Sequence, residues 1–243
     1  GNGVGGGGGR IAVRFLDIST LDVGHVTSLG GTGYYGSPGA NGTVYLKEEA
    51  RARGDIIITG TGPNSSWTTL TIPAGSEFES VTLTNNARVM TDSPLIISGR
   101  LRLSNNSVLT HTQGREAGLA ITASTIQVDE GSSIDVTGRG YRGGPGYEGM
   151  GTTLGNSIGS AQGAGGSYGG SGAGYEHRTT NLVYGDPKRP DELGSGGGAW
   201  GWSVGGNGGG RITITTSDAL IVNGAIRADG GESGGSAAGD GSG

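Results

Sequence analysis

Aromatic side chains set among glycines are the residues of this sequence best suited to bind a ligand. Exposed tyrosine and tryptophan rings can stack on the faces of sugars, because each ring offers a broad apolar surface. Trp200 and Trp202 stand two residues apart, so on a β-strand they would share one face. The predicted glycan-stacking residues are Tyr141, Tyr147, Tyr168, Tyr175, Trp200 and Trp202.

The same six rings have a second interpretation, as a small core of the glycine-rich stretch that carries them. A ring laid over glycine backbone buries apolar surface, which stabilises the fold by roughly 25 cal/mol per Å². Glycine permits this close approach because it has no side chain. The sequence leaves the binding and the packing interpretations open.

Carboxylates that could act on a polysaccharide are Asp129, Glu130 and Asp135. Glycoside cleavage requires a pair of carboxylates on one face, and lyase chemistry requires carboxylates with Ca²⁺ and a basic residue. Asp129 and Glu130 precede Gly131, a pattern typical of a solvent-exposed turn. The chain is therefore predicted not to be an enzyme, and polysaccharide degradation stays as an alternative.

Nucleophilic and phosphate-binding motifs are weak in this chain. The histidines are His25, His111 and His177, and none accompanies a nucleophile elbow, since Ser195 lies inside a glycine tract. The glycine run at 206–210 precedes a predicted strand, whereas a phosphate site needs the N-terminus of a helix. Neither chemistry is predicted.

A calcium site is the remaining cofactor possibility. Asp229, Glu232 and Asp240 lie among glycines, as do the ligands of some Ca²⁺-binding β-rolls. The nine-residue period of those β-rolls is missing, which favours solvated carboxylates. No cofactor is predicted, and Ca²⁺ is kept as the alternative.

Composition limits the possible partners. The chain has 243 residues, 57 of them glycine, no cysteine and a net charge of -5. A mildly acidic chain does not favour nucleic acid, which requires a basic face. No run of about 18 apolar residues is present, so no membrane span is predicted. Alternating Val, Ile, Leu and Thr between the glycine tracts argue against disorder of the whole chain.

A repeated motif organises the chain and predicts its fold. A glycine run ending in arginine precedes an alternating strand at Gly9–Val13 and again at Gly210–Ile214, with a looser copy at Gly118–Thr122. We expect Arg10 and Arg211 to donate to backbone carbonyls at the ends of these tracts. Internal repeats of this kind are typical of solenoids.

Short strands recur between residues 55 and 112, and few of their turns carry the Asn-Gly or Asp-Gly signal of tight hairpins. The pattern predicts an all-β fold, a parallel β-helix or β-solenoid with a long Gly-rich, aromatic-containing excursion, and a β-sandwich is the alternative. The predicted strands of this stretch are 56–59, 69–72, 80–83, 88–90, 95–97, 100–103 and 107–110.

The chain is predicted to be one repeat module of a longer array, because its two ends read together as one glycine tract leading into Arg10. Four parts are predicted within it: a Gly-rich strand unit, short-strand solenoid coils, a Gly/Tyr/Trp-rich excursion, and the start of the next strand unit. Their boundaries are 1–54, 55–137, 138–210 and 211–243.

Three runs resemble the Gly-rich tandem-repeat regions of large, adhesin-like cell-surface proteins that are taken to be β-helical. The runs are 5–13, 39–45 and 184–198. The resemblance implies an extracellular location and a structural module that forms a fibre or stalk by continuous β-stacking. Copies of itself, neighbouring repeats and surface glycans are the expected partners. A glycan-binding adhesin module is the first alternative function, and a polysaccharide-degrading β-helix is the second.

Overall fold

The structure is a computed structural model that describes residues 3–18, 20–33, 38–147, 149–235 and 238–243. Gly1 and Asn2, which belong to the predicted seam between array units, lie outside the described residues. The chain divides into two compact units that interleave along the sequence. Unit 1 comprises Gly1–Thr110, Ile121–Ile134 and Ile214–Ile226, and unit 2 comprises His111–Ala120, Asp135–Thr213 and Arg227–Gly243.

The described residues form fourteen strands and two short 3₁₀-helices. The helices are Val23–His25 and Leu154–Asn156. The strands are β1 (Arg10–Phe15), β2 (Thr43–Glu48), β3 (Asp55–Thr59), β4 (Thr68–Thr69), β5 (Ser80–Thr84), β6 (Arg88–Met90), β7 (Leu95–Leu103), β8 (Val108–Thr110), β9 (Leu119–Val128), β10 (Ser133–Asp135), β11 (Thr152–Thr153), β12 (Ser157–Ile158), β13 (Ile212–Val222) and β14 (Ala225–Arg227).

The strands assemble into three sheets. A seven-stranded sheet has the order β1-β2-β3-β5-β7-β9-β13, a five-stranded sheet has the order β14-β10-β8-β6-β4, and β11 pairs with β12. Most neighbours are parallel, but β2 and β3 are antiparallel, as are β11 and β12. In β3 and β5 the burial alternates along the strand, as the period of two in their sequences predicts.

The corners between strands of unit 1 depend on left-handed backbone. Asn85 and Asn86 follow β5, and Asn105 and Asn106 follow β7, all with positive φ. Asn tolerates this conformation better than other non-glycine residues, because its short polar side chain can form local hydrogen bonds. The predicted strands of this stretch are confirmed in large part, with 95–97 and 100–103 merged into β7.

The predicted parallel β-helix or β-solenoid is wrong. The strands lie in mixed sheets of seven, five and two strands, and no closed solenoid forms within the described ranges. The antiparallel pair of β2 and β3 interrupts the parallel register that a β-helix requires. The glycine tracts, expected to let neighbouring layers approach closely, contain no strand in the part of the chain that the structure describes. The predicted filament depended on coils stacking across open ends and is wrong for the same reason.

Unit 2 is built on four glycine segments, defined here as residues 140–144, 194–198, 205–210 and 239–243. None contains a helix or a strand, yet their backbone groups are bonded between segments. Gly194 and Gly197 N–H groups donate to Gly209 and Gly206 carbonyls, both at 2.9 Å. Gly196 N–H instead donates to Thr152 O at 2.9 Å.

The hydrogen bonds of these segments recur with a period of three. Gly205 and Gly208 both donate to segment 140–144, whereas Gly206 and Gly209 both donate to segment 239–243. Three residues per turn and no internal hydrogen bonds are the properties of the polyproline II helix. The glycine segments are therefore extended, polyproline II-like helices that form hydrogen bonds with neighbouring segments. Glycine is required because a Cβ at most of these positions would collide with a neighbouring backbone.

Candidate ligand-binding site

Tight turns that interrupt the glycine-rich stretch carry the candidate site. An antiparallel bridge joins Tyr175 to Arg178, and another joins Trp200 to Ser203. Gly201 has a φ of 53°, which lets the second turn reverse within four residues. Tyr147 N–H donates to the Gly201 carbonyl and so fixes a third turn against the second.

Tyr147 and Trp202 present an exposed pair of rings on these turns. Their centroids lie 4.2 Å apart with an interplanar angle of 61°, an edge-to-face contact. Tyr147 is 67% exposed and Trp202 is 82% exposed. The two rings hold each other in place while most of their surface faces solvent.

Trp200 belongs to a second cluster on the other arm of the same turn. Its ring centroid lies 5.9 Å from that of Tyr175. The Arg178 guanidinium carbon lies 3.8 Å from the Trp200 ring centroid, a cation–π contact. We call the five residues Tyr147, Tyr175, Arg178, Trp200 and Trp202 the aromatic surface.

The structure brings four of the six predicted stacking residues to the aromatic surface. Trp200 and Trp202 lie in a turn rather than a strand, and each contacts a different ring. Tyr141 is only 2% exposed and is a core residue, as the packing interpretation predicts. Burial raises the pKa of Tyr141, and its hydroxyl accepts a hydrogen bond from Gly155 N–H at 3.3 Å.

Tyr168 lies elsewhere in unit 2, against Tyr184, with ring centroids 5.0 Å apart. The two rings line a pocket of about 320 Å³ together with residues of the following turn. Burial raises the pKa of both phenols. The pocket is lined by Tyr168, Gly169, Val183, Tyr184, Gly185, Asp186, Pro187 and Pro190.

Sequence reasoning missed Arg178. Its position two residues after Glu176 in a glycine-rich stretch gives no sign that it would stack on Trp200, twenty-two positions away. Only the bridge from Tyr175 to Arg178 and the packing of Tyr175 against Trp200 place it there.

Two of the three carboxylates considered for catalysis, Asp129 and Asp135, are engaged in internal contacts, whereas Glu130 is exposed. Asp129 accepts hydrogen bonds from Gln127 Nε2 at 2.6 Å and Arg102 Nε at 3.0 Å, which lower its pKa. A general acid needs the opposite shift. Asp135 Oδ1 accepts a hydrogen bond from Thr137 N–H at 2.9 Å, and its Oδ2 lies 3.6 Å from Arg227 Nη1.

The histidines lie in different settings. His25 Nε2 lies 3.7 Å from Asp22 on an exposed turn. His111 is fully buried in unit 2, with Nδ1 2.7 Å from Thr112 O. His177 occupies the exposed turn between Glu176 and Arg178.

The calcium candidates Asp229, Glu232 and Asp240 lie near the end of unit 2. Asp240 Oδ1 accepts a hydrogen bond from Ser233 N–H at 2.7 Å, which stabilises a glycine-rich turn. Across the part of the chain that the structure describes, no three His, Cys, Asp or Glu side chains gather where they could hold a metal ion. Ca²⁺ binding stays an alternative, with no cluster of ligands for it among the described residues.

The predicted arginine contacts differ between the two copies of the motif. Arg211 Nη1 donates to Asp191 O at 2.9 Å and to Glu116 O at 3.5 Å, and its Nη2 pairs with Asp191 Oδ1 at 2.9 Å. Arg10 is exposed at the first position of β1, and no contact of its side chain with a backbone carbonyl is found among the described residues. The backbone-carbonyl role therefore applies to Arg211.

No family model, curated protein or solved structure matches the chain. The resemblance to Gly-rich surface repeats stays a prediction. Among the described residues, no helix has both the length and the hydropathy that crossing a membrane requires.

Proposed function

We propose that the chain is a glycan-binding adhesin module, in which the aromatic surface of unit 2 stacks on sugar rings. The observation that carries this proposal is the Tyr147–Trp202 pair, whose rings contact each other while 67% and 82% of their surfaces stay exposed. An extracellular location is part of the proposal and rests on the sequence resemblance.

The exposure of the Tyr147 and Trp202 rings does not stabilise the fold. Burying apolar surface stabilises a protein by roughly 25 cal/mol per Å², and these two rings forgo most of that gain. Met150 and Val204, each a few residues along the chain from one of the rings, are also about half exposed, at 47% and 49%. Exposed apolar residues that cluster mark interaction sites, whereas scattered single ones are ordinary.

The turns that carry the rings are anchored in backbone that cannot shift easily. Ala199 N–H donates to Gly149 O at 2.7 Å, and Gly205 N–H donates to Gly144 O at 2.9 Å, so both ends of the Trp200–Ser203 turn are tied to the 144–149 region. A ligand that meets rings already in position loses little conformational entropy on binding. Rigid Tyr and Trp anchors on short turns are suited to recognition for this reason.

The test is binding of the full chain to an array of surface glycans, followed by titration calorimetry on those that bind. Trp202→Ala and Tyr147→Ala should each weaken binding about tenfold, the equivalent of roughly 1.4 kcal/mol per ring. Leu182→Ala is the matched control, because Leu182 is an apolar side chain of unit 2 that is 88% exposed but lies outside the aromatic surface.

Thermal unfolding of each variant shows whether the turn is still folded. Unchanged glycan affinity in a folded Trp202→Ala protein would remove the aromatic surface as the site. Absence of binding to every glycan of the array would refute the adhesin function itself.

A further inference from the structure

We propose that the sugar bound at the aromatic surface is acidic, and that its carboxylate pairs with Arg178. This inference rests on the proposed function, since it names the class of glycan that the same site selects. The carboxylate of a uronic acid and that of a sialic acid present the same chemistry to an arginine.

Arg178 is held in an orientation suited to a carboxylate. Its guanidinium carbon lies 3.8 Å from the Trp200 ring centroid, so one face of the planar group is covered by the indole. The N–H groups of a guanidinium point outward within its plane, in a fork that matches a carboxylate with two parallel hydrogen bonds. Stacking on Trp200 therefore covers one face of the guanidinium and fixes the orientation of its fork.

The present partner of Arg178 satisfies this fork poorly. Its one ion pair within the described residues is to Glu176 Oε2, which lies 4.0 Å from Nη1 on a side chain that is 60% exposed. That distance is too long for a hydrogen bond. Nη1 is buried and has no hydrogen-bond acceptor among the described residues.

Other arginines of this chain lie closer to a carboxylate than Arg178 does. Arg102 contacts the Asp129 carboxylate through Nε at 3.0 Å and Nη2 at 2.9 Å. Arg211 combines an ion pair to Asp191 at 2.9 Å with a hydrogen bond to a backbone carbonyl, although its buried Nε has no acceptor among the described residues. A buried donor without an acceptor costs free energy, but Nη1 is closed to solvent, so a ligand carboxylate would have to displace the atoms that cover it before it could recover that cost. The Arg178 side chain is 25% exposed, so part of it stays open to solvent.

The inference requires one sugar residue to reach both the exposed ring pair and the Arg178 cation. Arg178 stacks on Trp200, and the exposed pair includes Trp202, two residues further along the same turn. The Cα atoms of Trp200 and Trp202 therefore lie within about 7 Å of each other. In the proposed complex, a pyranose stacked on the Tyr147–Trp202 pair directs its carboxylate toward Arg178.

Glu176 competes for the same cation. Among the described residues its carboxylate is the nearest negative charge to Arg178. The chain also carries a net charge of -5, which disfavours an acidic ligand at long range. Replacing Glu176 with glutamine keeps the size of the side chain and removes its charge. Glu176→Gln should strengthen binding of an acidic glycan a few-fold and leave a neutral glycan unaffected.

The experiment compares matched acidic and neutral sugars by calorimetry on the full chain. One arm uses oligogalacturonates and their methyl esters, and the other uses sialyllactose and lactose. The preferred acidic sugar should bind at least about tenfold more tightly than its neutral counterpart, and added salt should narrow the difference. A preference for oligogalacturonate over its methyl ester would identify a uronic acid as the ligand, and a preference for sialyllactose over lactose would identify a sialic acid.

Arg178→Gln should abolish the acidic preference, so that the acidic sugar and its neutral counterpart bind with equal affinity. Arg178→Lys keeps the positive charge but lacks the planar fork, so it should retain part of the preference for the acidic sugar. This variant replaces Arg178→Gln in the test if the glutamine variant does not fold. Equal affinity of the wild type for acidic and neutral sugars, or a preference that survives in Arg178→Gln, overturns this inference alone. Absence of binding to any sugar overturns the proposed function as well.

Discussion

Gly196 lies so close to the carbonyl oxygen of Arg142 that no Cβ could occupy the space between them. The atoms that a Cβ would meet belong to the backbone. Because that backbone is held by hydrogen bonds between the glycine segments, it cannot move aside as a flexible side chain can. Similar contacts recur at Gly143, Gly205 and Gly208, each against the carbonyl of a neighbouring glycine segment. Unit 2 is thus packed by backbone against backbone.

Gly196→Ala should destabilise unit 2 by about 3 kcal/mol or more. Adding a methyl group to a packed core costs up to about 3 kcal/mol, and the rigid backbone around Gly196 should place the cost at or above that value. Urea unfolding followed by tryptophan fluorescence measures this, because Trp200 and Trp202 belong to unit 2. Gly170→Ala is the control, since a Cβ there meets nothing within 4 Å. Equal midpoints for the two variants would contradict backbone packing in unit 2.

The short strands could be predicted from the sequence, whereas the glycine segments could not. Ile56 and Ile58 alternate with polar residues, and that period of two identifies β3 without further information. A run such as Gly205–Gly210 has no side-chain pattern to read, so its three-residue period becomes visible only through its hydrogen bonds. The antiparallel turn between β2 and β3 likewise carries none of the tight hairpin signals.

The aromatic rings of the site were predictable by type, but their separation into surface and core was not. Tyr141 and Tyr147 stand in the same glycine-rich setting, yet the first is buried and the second is exposed. Which of them is covered depends on residues far along the chain, such as Glu116, whose carboxylate lies 3.4 Å from the Tyr141 hydroxyl. The contact between Glu116 and Tyr141 cannot be predicted from their spacing in the sequence.

Asn181 should be the polar residue whose loss most destabilises unit 2. Its Oδ1 accepts hydrogen bonds from Ser167 N–H at 2.8 Å and Ser160 Oγ at 2.9 Å, and its Nδ2 donates to Ser167 O at 2.9 Å and Ser195 Oγ at 3.0 Å. Asn181→Ala leaves several of these groups without partners, at a cost of about 1–3 kcal/mol for each group that stays unsatisfied.

Chemical denaturation of Asn181→Ala, compared with Thr179→Ala at an exposed position of the same loop, measures the effect. A loss below about 1 kcal/mol would show that water replaces the amide without penalty. In that case the hydrogen bonds of Asn181 would not hold the loop in place.

Asp129 should stabilise unit 1 at neutral pH but not in acid. Hydrogen bonds from Gln127 and Arg102, together with the charge of Arg102, lower its pKa below the ordinary 3.8. A carboxylate with a lowered folded-state pKa contributes stability above 3.8, and the contribution is lost as the pH falls through the lowered value. The pair is partly exposed, so the contribution is no more than about 1 kcal/mol.

Thermal unfolding of Asp129→Asn should show a melting temperature a few degrees below that of wild type at neutral pH, and the gap should close in strong acid. Glu49→Gln at an exposed position is the charge-matched control and should follow the wild type at both pH values. A gap that persists in acid would mean that the asparagine disturbs packing rather than charge.

Tyr184 should make unit 2 sensitive to alkali. Burial raises its pKa above the ordinary 10.0, against the opposing effect of its hydrogen bonds to Ser195 and Thr153. A phenol with a raised folded-state pKa contributes stability that is fully present below 10.0 and is lost as the pH rises through the raised value. Its hydroxyl donates to Leu193 O at 2.5 Å, a bond that the phenolate cannot make.

Tyr184→Phe therefore has opposite effects in the two pH ranges. At neutral pH it should lower the free energy of unfolding by about 1–3 kcal/mol, because Leu193 O loses its donor. In alkali its stability should fall less steeply than that of the wild type, because one half-buried phenol no longer ionises. Urea unfolding across the alkaline range measures the slope, and phenolate absorbance reports ionisation directly. Tyr147→Phe, which removes an exposed phenol, is the control and should show the wild-type dependence of unfolding free energy on pH. If Tyr184→Phe also showed the wild-type dependence, groups other than Tyr184 would cause the loss of stability in alkali.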